Sequence, residues 1–241
     1  MVTGKFRRPL RPLRFATDTL QRTCCIRHDE APALGDNGAG AYPDLPAVTL
    51  DRDALRRELR HRRRDVPPAQ RIHAAEAVAA RLDALPFMPT QGYVAGYWAM
   101  DGEVALHVWQ LRLPSTLVYC LPVLHEDGRL RFAPWRAGAS LVTNRYGIPE
   151  PDVESGACLD AGDIALAVLP LVAFDGHGQR LGMGAGWYDR TFAERRGRAG
   201  PPWLAGAAYA FQQTGPLDAR EWDVPLDAVC TDTDTLLPAD P

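Results

Sequence analysis

Strand-like and helix-like segments alternate along the chain beyond Thr49. That alternation predicts an α/β fold: an open, mostly parallel sheet with helices on both faces, in a single domain. Two further observations point the same way. Ile164–Leu169 (IALAVL) is a wholly apolar run of strand length, as a central parallel strand covered on both faces requires. The 241 residues of the chain suffice to enclose one real core.

The elements follow in order. Asp51 is placed to cap a helix running to about Arg64, with Leu55 and Leu59 at i, i+4 and arginines around them. Pro67 and Pro68 punctuate. A second helix is expected from about Ala69 to Leu85, because Ile72, Ala75, Ala79, Leu82 and Leu85 recur at helical spacing, and Pro86 ends it. Tyr93–Trp98 reads as a strand, Val104–Leu113 as a helix and Thr116–Leu121 as a buried strand. Asp127-Gly128 suits a turn before Leu130–Ala133. After Ile164–Leu169 come a helix over Tyr188–Arg196, a strand over Trp203–Ala208 and a final short strand over Asp227–Thr231. No internal repeat is present.

Residues 1–46 are of a different character. Arg7, Arg8, Arg11 and Arg14 cluster with Pro9 and Pro12, and a Gly-, Ala- and Pro-rich stretch runs from Ala31 to Pro46. Such a composition buries little apolar surface, so 1–46 are expected to form a disordered extension and 47–241 the folded domain. The extension reads either as an RNA-binding or targeting arm or as a solvated tail.

Apolar residues make up 46 % of the chain, charged residues 24 %, and the net charge is -3. Nothing global points to nucleic acid or an anionic membrane as a partner. Lys5 is the single lysine, so nearly all positive charge is arginine, which grips phosphate and carboxylate in a planar fork. The five cysteines (Cys24, Cys25, Cys120, Cys158 and Cys230) form no CxxC pair, which argues against a disulfide framework or a zinc site. No apolar run reaches membrane-spanning length, and no apolar segment follows the basic N-terminus. A reducing, cytoplasmic setting and a monomer are expected.

The most informative segment is Leu169–Arg190, LPLVAFDGHGQRLGMGAGWYDR. An apolar strand, a glycine-rich turn and a helix follow one another, the order in which backbone N–H groups cradle phosphates. Gly182, Gly184 and Gly186 alternate, Arg180 precedes them, and Asp189-Arg190 follow. The pattern is neither a Walker A loop nor the dinucleotide GxGxxG. From the residues alone, a phosphate cradle and a plain tight turn stay open. Asp189 reads either as a magnesium ligand beside phosphates or as an acid at a helix N-terminus.

Read as a string, the segment resembles the signature of the 5-formyltetrahydrofolate cyclo-ligase family, roughly P-x-V-A-F-D-x-x-G-x-R-L-G-x-G-x-G-Y-Y-D-R. Pro170, Val172, Ala173, Phe174, Asp175, Gly178, Arg180, Leu181, Gly182, Gly184, Gly186, Tyr188, Asp189 and Arg190 match it. Trp187 stands where the first tyrosine is usual, and Ala185 where glycine is common. Arg52–Arg56 resembles the family's K-x-x-L-R element with Arg52 in place of lysine. Gly102-Glu103, Leu121–Val123, Phe132–Trp135, Tyr146–Pro151, Gly206–Tyr209 with Gln212, and Glu221–Asp227 resemble further family elements in order. The resemblance covers about residues 48–235.

The resemblance implies a NagB/RpiA/CoA-transferase-like fold and an ATP- and Mg²⁺-dependent ligase that forms a carbon–nitrogen bond. It would convert 5-formyltetrahydrofolate into 5,10-methenyltetrahydrofolate, ADP and phosphate through a phosphorylated formyl group, an imidate phosphate. It assigns the nucleotide to Arg52, Arg56, Arg180, Leu181, Gly182, Met183, Gly184, Ala185, Gly186, Trp187 and Tyr188. The folate falls to Arg56, Glu103, Trp135, Tyr146 and Trp187, magnesium to Asp189 and Asp223, and catalysis to Arg180 and Tyr188.

Overall fold

A computed structural model describes residues 51–238; the expected extension over 1–46 lies outside the described residues. Helix α1 (Arg52–Asp65) begins where Asp51 caps it, the Oδ1 atom accepting from the amides of Asp53 and Ala54 at 3.0 Å each. Val66, extended before Pro67, ends it. Helix α2 (Pro68–Asp83) starts on Pro68, whose missing N–H costs nothing at a first turn. It buries Ala74, Ala75, Val78, Ala79 and Leu82. The expected helix ended two residues later; the chain turns at Ala84, whose amide donates to the Arg81 carbonyl. Ile72, placed on the apolar face by its spacing, is 61 % exposed because it precedes the first buried position.

The main sheet is built from β1 (Gly92–Ala95), β2 (Leu117–Leu124), β3 (Leu130–Pro134), β6 (Ile164–Pro170), β9 (Trp203–Ala207), β10 (Ala228–Cys230) and β11 (Thr235–Leu236). Its seven strands lie in the order β11-β10-β9-β6-β1-β2-β3. The inner strands β10, β9, β6, β1 and β2 run parallel, while β3 and β11 close the edges antiparallel. The sheet is therefore mixed, with a parallel centre. Side chains alternate across it. Val94, Tyr119, Leu121, Leu166, Val168, Ala205, Ala207, Ala228 and Cys230 face α2 and α3 (His107–Arg112). Ala95, Cys120, Ala167, Leu169, Leu204 and Val229 face the other way. Among the described residues the cover there is thinner: helix α4 (Trp187–Thr191), a 3-10 turn at Ala193–Arg195, and the loops around them.

Four expectations change. The strand over Tyr93–Trp98 stops at Ala95. The helix over Val104–Leu113 is only His107–Arg112. The helix over Tyr188–Arg196 breaks at Phe192 into α4 and the 3-10 turn. The strand near Asp227 is not the last, because Asp234 turns the chain back to form β11. Two small hairpins were not anticipated: β4 (Leu141–Thr143) with β5 (Pro149–Pro151), and β7 (Ala173–Phe174) with β8 (Arg180–Leu181). The β7–β8 hairpin carries Val172, Ala173 and Leu181, which pack with Leu59 of α1 and Leu217 into a satellite core.

The topology locates a crevice. From β1 the chain passes through α3 to β2 on one side, and from β6 it goes on to β9 on the other. Adjacent parallel strands whose connections diverge open a cleft at their C-terminal ends, the usual ligand site of open α/β sheets. The loops that leave β1 and β6 here are Gly96–Glu103 and Leu171–Gly186.

Candidate active site

The two loops are tied together by an arginine inside α1. Arg63 follows Leu55 and Leu59 at i+8 and i+4, so it shares their inward face, and it is only 1 % exposed. Its Nε donates to the Asp101 carbonyl at 2.9 Å, Nη1 to the Leu171 carbonyl at 3.2 Å and Nη2 to Asp101 Oδ2 at 3.1 Å. Arg60 and Arg64 hold the same Asp101 carboxylate at 2.7 and 3.0 Å. Asp101 sits at φ 49° and Gly102 at φ 76°. A Cβ on Gly102 would lie 2.6 Å from the Arg63 carbonyl, so only glycine lets this turn dock on α1.

That docking positions Glu103. Its Oε2 accepts from the Met100 amide at 2.9 Å, and its Oε1 lies 3.5 Å from Arg63 Nη1. Burial pushes the Glu103 carboxyl above the usual range, while Arg63 pulls it down. Tyr97, Tyr119 and Tyr188 gather in the same field. Burial raises all three phenols, and the charge of Glu103 adds to the effect on Tyr97 and Tyr188. Tyr97 donates to the Val104 carbonyl at 2.7 Å. The Tyr119 and Tyr188 hydroxyls have no hydrogen-bond partner among the described residues. A phenol raised in this way stays protonated, so Tyr188 is suited to donate a hydrogen bond and not to act as a base.

The glycine loop spans Gly182–Gly186. Gly184 and Gly186 take φ of 100° and 67°, whereas Gly182 does not need a left-handed backbone. Arg56 braces the loop: its Nε donates to the Gly182 carbonyl at 2.9 Å, and its guanidinium would lie 3.8 Å from a Cβ on Gly184. Arg190 braces the other end, donating to the Ala185 carbonyl at 2.9 Å and to the Gly128 carbonyl at 2.8 Å. Met183 is 52 % exposed, whereas the Leu181 side chain is buried in the satellite core. Helix α4 after the loop has five residues, so the backbone amides, more than a helix dipole, would meet an anion.

Behind the loop, Arg180 is 8 % exposed and engaged through both terminal nitrogens. It donates to the Val224 carbonyl and, at 2.8 Å, to Asp189 Oδ1. The Val224 amide donates to the same Oδ1 at 3.2 Å, which brings Asp189 beside the neighbour of Asp223. Asp223 Oδ2 accepts from the Arg220 amide at 3.0 Å and lies 3.6 Å from Arg52 Nη2. Asp189 Oδ2 and Asp223 Oδ1 thus remain without a hydrogen bond among the described residues. Arg52 Nε is buried without a partner, a donor left over beside these acids. Among the described residues no cluster of three or more His, Cys, Asp and Glu side chains could hold a metal. Two one-sided carboxylates fit Mg²⁺, which keeps waters and substrate phosphates in its shell.

Of the aromatic candidates, Trp187 and Tyr146 meet edge to face at 6.3 Å, and the indole N–H donates to the Tyr146 hydroxyl at 3.3 Å. Arg145 lies over both rings and Arg190 over Trp187. Trp135 packs edge-on against Trp98 at 5.7 Å. Arg63, Asp101, Tyr97 and Tyr119 were missed by sequence reasoning. For Arg63 a signal existed in its spacing from Leu55 and Leu59, but it was masked by the run Arg62–Arg64, which reads as a solvated face.

An arginine-flanked glycine loop facing two acids, at the divergence point of a parallel sheet, is the layout of a phosphate-handling α/β enzyme. The profile of the 5-formyltetrahydrofolate cyclo-ligase family matches residues 48–232. The 5-formyltetrahydrofolate cyclo-ligase of Escherichia coli K12 is 37 % identical over 177 residues, covering 72 % of this chain and 96 % of its own. That of Haemophilus influenzae is 33 % identical over 182 residues, covering 74 % and 96 %. The solved 5,10-methenyltetrahydrofolate synthetase of Aquifex aeolicus superposes with a TM-score of 0.66 at 28 % identity, over 79 % of this chain and 94 % of that one. The chain belongs to the 5-formyltetrahydrofolate cyclo-ligase family and is a ligase.

Proposed function

We propose that this ligase closes the ring of 5-formyltetrahydrofolate to give 5,10-methenyltetrahydrofolate, with ATP converted to ADP and phosphate. The observation that carries the reading is the loop Gly182–Gly186. Two of its glycines are left-handed, Arg56 braces it, and Asp189 and Asp223 each keep an oxygen to spare nearby.

The formamide oxygen is a poor leaving group. Transfer of the γ-phosphoryl group to it gives an imidate-like phosphate, and N10 of the folate then attacks the activated carbon. N10 gives up its proton to solvent, and the C–O bond breaks with phosphate departing with both electrons. The site has to hold two substrates in line and offset spreading negative charge. The loop amides supply donors. Arg52 supplies a cation with a spare Nε, and Arg56 holds the loop in shape. Arg180, engaged with Asp189 and Val224, acts by positioning Asp189. Glu103 and the protonated phenol of Tyr188 are suited to hydrogen bonds with a pterin, and the Trp187–Tyr146 pair to packing against its planar or aryl portion. Asp189 and Asp223 would hold Mg²⁺, which neutralises charge on the transferring phosphate.

The same proposal includes the NagB/RpiA/CoA-transferase-like assignment, a monomeric state and a cytoplasmic setting. The buried Cys120 and Cys230, whose thiols burial pushes up to about 12, are unreactive and suit a reducing compartment. The test is growth of methenyltetrahydrofolate absorbance from 5-formyltetrahydrofolate. It is expected only with ATP and Mg²⁺ together; equal turnover without ATP would overturn the proposal.

A further inference from the structure

Beside the glycine loop lies an open cleft of about 440 Å³, lined by Gly184–Gly186, Asp189, Arg190, Arg196, Arg220 and Trp222. This volume is in the range of small-molecule sites. Trp222 is 55 % exposed, with the guanidinium of Arg220 5.5 Å from its ring centre. A half-exposed indole at the edge of a cleft offers a flat apolar face to a ligand with a ring. The residue is not on a loose tip. The turn Arg220–Asp223 is closed by the Arg220 amide on Asp223 Oδ2 and the Asp223 amide on the Arg220 carbonyl, each at 3.0 Å. Arg196 fastens it further, donating to the Glu221 carbonyl at 2.9 Å. Asp223 and Trp222 therefore sit on one rigid turn that faces the loop.

The chemistry of the cleft selects its ligand. A plain polyanion would use the arginines and leave the indole bare. A neutral aromatic would have no use for three guanidinium groups. A molecule with both a flat ring and several negative charges uses the whole surface, and a nucleoside triphosphate is such a molecule. We propose that Trp222, backed by Arg220, is the platform on which the nucleotide base stacks, with its phosphates reaching across the cleft to Gly184–Gly186. The proposal rests on the ATP-dependent reading given above and adds where the base lies and which side chain holds it. Stacking on an aromatic side chain contributes through the face of the ring and needs no hydrogen-bond readout.

Calorimetric titration in Mg²⁺ with two probes tests this: a non-hydrolysable ATP analogue, which carries a base, and tripolyphosphate, which does not. Trp222→Ala is expected to weaken the analogue at least tenfold and tripolyphosphate less than twofold. Trp222→Phe, which keeps a flat ring, is expected to recover most of the loss, and thermal melting checks that both variants fold. An equal loss for both probes would mean that Trp222 only shapes the turn, and no loss for either would mean that the base lies elsewhere; each result overturns the proposal. Wild-type protein that binds neither probe would instead overturn the nucleotide reading on which it rests.

Discussion

At the scale of single residues, Arg63 governs more of the site than any group that would touch a ligand. It is buried, and it is bonded at once to the Asp101 carboxylate and carbonyl and the Leu171 carbonyl, with Glu103 close by. Arg63→Ala would leave Glu103 without its nearest cation and the Asp101 carbonyl without its side-chain donor, although Arg60 and Arg64 would still hold the Asp101 carboxylate and Gln212 the Leu171 carbonyl. A loss of about 3 kcal/mol is expected in chemical denaturation, more than for the neighbouring surface arginines. Glu103 offers a second test. Its raised pKa means that the folded protein holds the proton more tightly than the unfolded chain. The stability this contributes is fully present below the ordinary carboxylate value and is lost as pH rises through the raised one. Glu103→Gln keeps the shape and removes the titration. The melting temperature of the variant relative to wild type should therefore rise as pH climbs above about 4, the ordinary carboxylate range; a constant difference would show that Glu103 does not titrate in this way. The sequence singled out Glu103, Asp189 and Asp223, but only as members of a familiar string. It gave no sign that each has an arginine partner, because those arginines lie 9 to 171 positions away in the chain.

At the scale of elements, long periodic segments were legible and short ones were not. Helices α1 and α2 and strands β2, β6 and β9 were found because apolar spacing over several residues averages out local noise. The two-residue strands β7 and β8 carry no period, and their pairing depends on a long-range dock: Leu59 of α1 packs on them. The consequence for the site is that the glycine loop hangs from a hairpin fixed to α1, and not directly from β6. Gly184 is the test of that loop. Its φ of 100° suits glycine, yet a Cβ would meet only Arg56, at an ordinary 3.8 Å. Gly184→Val should therefore act through backbone strain, costing about 1–3 kcal/mol of stability. It should weaken binding of an ATP analogue at least tenfold, since the backbone amides would turn away. Melting and calorimetry on the same sample separate the two effects, and unchanged affinity in a folded variant would remove the loop from the phosphate site.

At the scale of the molecule, the family match runs over 48–232, and the buried hydrophobic residues of the described chain lie between Leu59 and Cys230. A chain starting at Ala47 carries all of these. It is expected to melt within a few degrees of the full chain and to turn over at a similar rate; loss of most activity in a folded truncation would assign residues 1–46 a part in the site. The fold class was legible because the parallel centre of the sheet announces itself in apolar runs. Of the antiparallel edges, β3 was announced by the Asp127-Gly128 turn before Leu130–Ala133, whereas β11 was not, because it is set by a tight turn whose geometry depends on a few polar atoms, such as the Thr231 amide on the Asp234 carbonyl.

Arg190 joins two parts of the chain that the sheet keeps separate. One guanidinium holds the carbonyl of Ala185 in the glycine loop and that of Gly128 at the tip of the β2–β3 turn. Filling the loop with phosphate would steady Arg190, and through it the tip, where the Gly128 amide donates to the His125 carbonyl at 3.2 Å and the Arg129 amide to Asp127 Oδ1 at 2.9 Å. The tip becomes a remote reporter of occupancy: deuterium uptake in a peptide covering residues 125–129 should slow when an ATP analogue and Mg²⁺ are added. Arg190→Ala should leave that uptake the same with and without nucleotide, because the tether that carries the signal is gone.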